Sequence, residues 1–235
     1  MTADEILKEL ERFGDPQTKK TLLKHGAKEP FFGVKVADLK TILKKTKKNH
    51  ELSLALYDTG NSDAMYLAAM MADETKISAD QLDHWAEKAY WYYLSAHAVP
   101  GVAAETAFGF ELGLKWIQSD QENIATVGWA TLASYAGVNM DEDLNINAYS
   151  QLLDKVADEI HHSKNRVRLT MNIFVIAIGT YIKELTDKSK AIANQIGKVT
   201  ADMNGTACKV PLATEYIDKA IDNGQLGKKR KTARC

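Results

Sequence analysis

The chain has 235 residues, 45% hydrophobic and 26% charged, enough to bury a sizeable core as one large domain or a continuous solenoid. No apolar run approaches the ~20 residues needed to cross a bilayer, and Met1-Thr2-Ala3-Asp4-Glu5 opens an acidic, capped helix rather than a basic signal peptide. A membrane partner is therefore excluded and a cytoplasmic location is the expectation. Cys208 and Cys235 are too few for a disulfide framework and lack metal-site spacing; Cys208 is expected to be buried and Cys235 to be an exposed free thiol.

The net charge of -1 conceals a strong asymmetry. Residues 1–48 carry 12 Lys/Arg against 7 Asp/Glu, residues 49–163 carry 4 against 18, and residues 164–235 carry 14 against 6. Both ends have the local potential to approach a polyanion, while the middle repels one unless its acids face away.

In chain order, Thr2 and Asp15 read as helix N-caps, with Pro16 at the first helical position and Gly14 and Gly26 just past helix ends. After the Pro30-Phe31-Phe32-Gly33 turn, Val36, Leu39, Ile42 and Leu43 form one apolar helical stripe. Further helices are expected near 50–58, 62–72, 79–89, 91–104, 108–118, 121–137, 147–161, 166–185, 188–199 and 212–223. The run Tyr90-Trp91-Tyr92-Tyr93 radiates around a helix, so only about half of its rings can share a groove. No carboxylate follows it before Glu105. Trp85, Trp116 and Trp129 read as core. The helix from Val167 to Ile182 is apolar on most sides and must lie centrally, with Gly179 permitting close approach and Asn172 serving as a core amide. The adjacent His161 and His162 point too far apart to chelate one metal.

Strand signals are nearly missing, so the fold class is all-α. Helices joined by short loops and paired at intervals of roughly 35–45 residues suit a helical-repeat solenoid, with a helical bundle as the alternative. Residues 1–225 form the single domain and 226–235 a basic C-terminal tail. That tail, Gly227-Lys228-Lys229-Arg230-Lys231-Thr232-Ala233-Arg234-Cys235, has five basic residues in nine; it reads either as a phosphate-seeking arm or as a solvated disordered end.

The segments 30–40, Ala64 to Asp73 and Asp80 to Trp85, followed by Asn123 to Leu132 and Ile176 to Glu184, resemble the AlkD-type DNA alkylation repair glycosylases in pattern and order. The resemblance implies a right-handed α-α superhelix of HEAT-like repeats whose concave face holds duplex DNA. It also implies excision of N3- or N7-alkylated purines, with no cofactor and no metal. In that family the Asp of a Trp-x-x-x-Asp element stabilises positive charge on the deoxyribose as the glycosidic bond breaks, tryptophans flank the sugar, and an arginine sits near the phosphate. Here those positions fall on Tyr92, Ala96, Thr180 and Gly128, none of which supplies the family's group.

The expected function is a non-catalytic DNA-binding HEAT-like scaffold. Alternatives are an active glycosylase with relocated chemistry, for which His97 is a candidate acid or base, and a protein-interaction solenoid using the acidic middle. Duplex DNA and a protein are thus both candidate partners. Candidate nucleic-acid contacts are Tyr92, Tyr93, His97, Lys164, Arg166, Arg168, Lys228, Lys229, Arg230 and Lys231.

Overall fold

The computed structural model describes residues 1–234; the terminal Cys235, expected as an exposed thiol, lies outside the described residues. Among the described residues there is no strand, and thirteen α-helices follow one another. The first six are α1 (Ala3–Phe13), α2 (Pro16–Lys24), α3 (Val36–Thr46), α4 (His50–Tyr57), α5 (Ser62–Met71) and α6 (Ala79–Lys88). After a π-helical turn at Leu94–Ala98 come α7 (Val99–Ala103), α8 (Gly109–Trp116), α9 (Glu122–Val138), α10 (Ile146–Glu159), α11 (Asn165–Tyr181), α12 (Thr186–Ile196) and α13 (Ala213–Asp222).

Local chemistry sets the boundaries. Thr2 forms a capping box with Glu5, Asp15 caps α2 ahead of Pro16, and Ser78 forms a second capping box with Gln81. Two expected helices are broken. The one near 91–104 divides because the chain takes an i→i+5 bond, Val99 N–H to Leu94 O, just before Pro100. The long apolar helix ends at Tyr181, and the chain resumes after Ile182 bent by 116°. Even so, no single helix is long and apolar enough to cross a membrane.

The helices stack in sequence, α4 on α5, α8 on α9, α9 on α11 and α11 on both α12 and α13. Side chains stitch each layer to the next at a nearly constant interval. Tyr57 Oη donates to Trp85 O, Trp91 Nε1 to Ser62 Oγ, Trp116 Nε1 to Asp83, Asn123 Nδ2 to Ala86 O, and Asn172 Nδ2 to Pro211 O. Sequence separations of 28 to 39 residues are those of a helical-pair repeat, in which each layer buries its apolar face against neighbours only.

Two apolar cores result, one from Ile6 to Val127 and one from Ile117 to Ile217, and α9 contributes to both. Trp85, Trp116 and Trp129 are buried in them, as expected. Gly179 brings α11 so close to its neighbours that an added Cβ would lie 2.8 Å from Ile217 and 2.9 Å from Ser189. Asn172 is a fully buried core amide. Cys208 corrects its expectation: it is exposed, because the polar loop before α13 carries it outside the stack.

Candidate nucleic-acid interface

A cavity of about 470 Å³ opens between the π-helical turn, α9, α11 and α13. Its origin lies in side-chain size. Ala96, Ala130, Ala133, Ala177 and Ala220 face it from four different elements, and small residues at facing positions leave space that larger ones would fill. Ile173 and Tyr216, also on the wall, remain 40% and 51% exposed. No Asp or Glu lines it among the described residues.

The aromatic run distributes its rings as a helix must. Trp91 is buried against Ser62, Tyr90 Oη donates to Gly60 O, and Tyr93 stacks on Tyr66 with ring centroids 4.6 Å apart. Tyr92 alone of the four lines the cavity, together with Ala96 and His97. The wider π turn allows this: at about 4.4 residues per turn, positions four and five residues on both return to the same face. His97 is exposed at the cavity, and partial desolvation by the surrounding protein pushes its imidazole below the ordinary 6.5. Its ring meets those of Tyr92 and Tyr93 edge-on, at 6.2 and 5.8 Å.

The cations near the site differ in what holds them. The Arg166 guanidinium lies 4.6 Å from the centre of the Tyr92 ring, a cation–π contact that places positive charge beside the cavity. Arg230 lines the cavity and lies 5.5 Å from the Tyr181 ring. Arg168 is half-buried, with its Nε shielded and without a hydrogen-bond partner. Lys164 bonds to Asp120 O. Lys228 and Lys231 are exposed, whereas the Lys229 side chain is only 9% exposed, paired with Asp141 at 2.7 Å and bonded to Ala136 O.

Tyr92, Ala96 and Thr180 thus meet in one cavity, with Tyr181 beside Thr180. Gly128 does not join them. It lies in the α8–α9 contact, where a Cβ would be 2.6 Å from Ile117 N, so no side chain from that position could reach the cavity. The face of α9 that does reach it carries Ala130, Ala133 and Ser134, and α9 contains no arginine at any position. Gly128, the expected counterpart of the family's arginine, therefore stands apart from the cavity.

Sequence reasoning missed how the acidic middle is neutralised. Asp63 is buried and accepts the N–H groups of Phe32, Gly33 and Val34, tying the N-terminal turn to α5. Burial pushes its carboxyl up despite those bonds. Glu74 and Glu105 receive Arg234, and Glu74 also receives Lys48. Burial raises the Glu74 carboxyl, but the bonds from Lys48, its own backbone and Arg234 outweigh it and hold it at about 2. The opposed charge counts of the tail and the middle were the available signal; the partners were not, since they lie 160 and 129 residues away.

Residues 6–208 match the profile of the family described as "DNA alkylation repair enzyme". An uncharacterized protein of Listeria monocytogenes is 30% identical over 226 residues, covering 94% of this chain and 97% of that protein, and one of Listeria innocua matches to the same extent. Among solved structures, one superposes with a TM-score of 0.93 at 36% identity over 100% of both chains. It represents "a new family of proteins related to the HEAT-like repeat DNA glycosylases with affinity for branched DNA structures". The fold is thus the HEAT-like α-α superhelix, and the chain belongs to the DNA alkylation repair family.

Proposed function

We propose that this protein is a non-catalytic DNA-binding scaffold of the family, located in the cytoplasm, whose ligand is branched DNA. The observation that carries the reading is a cavity wall without Asp or Glu among the described residues, with Ala96 where the resemblance would place the family's carboxylate and arginines at its edges. Cleavage of a glycosidic bond develops positive charge on the sugar, and a wall without a carboxylate, with arginines at its edges, offers no countercharge to stabilise it. The same surroundings suit a polyanion. Arg166 and Arg230 lie over tyrosine rings, leaving their charge available to phosphate while the rings offer a face to sugar or base. The full-length likeness to a protein with affinity for branched DNA supports the choice of ligand.

The test compares binding to a four-way junction, a three-way junction and linear duplex across a salt series. Tighter, salt-weakened binding to the junctions is expected, and equal or absent binding would sink the reading. Incubation with alkylated DNA is expected to release neither 3-methyladenine nor 7-methylguanine. Release that His97→Ala abolishes would establish relocated chemistry instead.

A further inference from the structure

The C-terminal segment crosses the carbonyl ends of three helices in succession. Gly227 N–H donates to Thr180 O at the end of α11, 2.8 Å away. Arg230 N–H donates to Gly137 O at 2.8 Å, and Lys229 Nζ to Ala136 O at 2.9 Å, both at the end of α9. Arg234 reaches Ala72 O at 2.6 Å, beyond the end of α5, while pairing with Glu74 and with Glu105, just past α7. Glu105 also accepts from Thr232 and from Ala233 N–H.

Each of these helix ends carries partial negative charge from carbonyls without helical partners. Together with Glu74, Glu105 and Asp141 they form an anionic rim that a cationic segment neutralises. The rim is also shaped for that segment. A Cβ at Gly137 would lie 2.9 Å from Arg230 Nη2, and one at Gly101 would lie 3.1 Å from Arg234 Cγ. The Arg234 side chain is 9% exposed.

A rim of three carboxylates and three helix C-termini beside the cavity would repel phosphates. With the segment seated, those charges are matched, and Lys228, Arg230 and Lys231 remain exposed. We propose that the C-terminal segment is an internal clasp, held by Arg234, that converts this rim from phosphate-repelling to phosphate-binding, with Lys228, Arg230 and Lys231 as its DNA-contacting edge. The inference rests on the DNA-binding reading and adds the segment's docked state as a condition of binding. It differs from a free basic arm, whose affinity for DNA would be indifferent to docking.

Arg234→Ala keeps all three exposed cations and removes the anchor. In the full-length variant the amides of Gly227, Arg230 and Ala233 are expected to lose protection from hydrogen exchange, and junction affinity to fall on the order of tenfold, because uncovered carboxylates oppose the phosphates. Arg234→Glu is expected to behave alike, and Arg234→Lys, which keeps a cation for Glu74 and Glu105 and leaves the Glu105 acceptor in place, to restore both readouts in part. In the folded wild-type background, Lys228→Ala with Lys231→Ala is expected to lower the salt slope of binding by about 0.9 for each phosphate no longer neutralised. Wild-type affinity in Arg234→Ala, unchanged amide protection there, or an unchanged salt slope in the lysine variant would each overturn the clasp while leaving the DNA reading intact. Failure of the wild-type protein itself to bind junctions would remove the DNA reading, and the clasp's role with it.

Discussion

The cavity wall and its rim handle charge in opposite ways. The wall carries no Asp or Glu among the described residues and is built largely of alanine, isoleucine and tyrosine, with His97 and the arginines at its margin. The nearby rim gathers Glu74, Glu105 and Asp141 and pairs them with Lys229 and Arg234 from the C-terminus and with Lys48. Acid is thus absent from the cavity wall and gathered at the rim, where it meets the C-terminal segment. Neither feature follows from the net charge.

The largest effect is expected at the rim. Glu105→Ala removes the acceptor of Thr232, Ala233 and Arg234 at once and leaves a largely buried guanidinium with Glu74 as its one carboxylate; a cost of about 2–4 kcal/mol is expected in urea unfolding. A loss within experimental error would mean that the segment's docking contributes no stability.

Acid should release the same contact. Glu74 is held at about 2 and Glu105 below its ordinary 4.5, in each case because bonds and cations outweigh desolvation. Depressed carboxyl values stabilise the folded state above the unfolded value, and that contribution fades as pH falls through the folded one. Exchange protection of the Ala233 amide is therefore expected to be full above about pH 4.5 and to be lost as pH falls through the depressed value of Glu105, its acceptor. Protection that is flat across this window would argue against carboxylate anchoring.

The wall is expected to respond less. Tyr92→Leu preserves an apolar side chain but ends the cation–π contact with Arg166, at a cost of roughly 0.5–2 kcal/mol in stability. It should also weaken junction binding, by a factor that filter-binding measurements would supply. The smallest change is expected for Lys228→Ala, an exposed position, with stability unchanged to within about 0.5 kcal/mol. Calorimetry showing a larger loss would place Lys228 in the clasp rather than on its outer edge.

Much of the architecture was legible because its causes are local. Thr2, Asp15 and Pro16 mark helix starts by donors and φ angles that depend on near neighbours, and the stripe through Val36, Leu39 and Ile42 declares its buried face by spacing alone. The π turn at Leu94–Ala98 was not legible: one displaced hydrogen bond before Pro100 leaves little trace in composition, yet it turns His97 into the cavity beside Tyr92. Gly128 shows the same limit. Sequence order brings it near the family's arginine position, but only packing reveals that it faces α8.

The C-terminal tail marks the boundary most sharply. Sequence by itself determined an all-helical repeat, an acidic middle between basic ends, and a stretch from Lys88 to Ala104 without a carboxylate, since periodicity, capping and residue chemistry are properties of short stretches. Tertiary structure alone decided that alanines from four elements open one cavity, and that Lys229 and Arg234 are consumed by acids 88 to 160 residues away while Lys228 and Lys231 stay exposed. Which cation meets which carboxylate depends on how the superhelix brings the ends of α5, α7, α9 and α11 together, and Coulombic pairing follows distance in space rather than position in the chain.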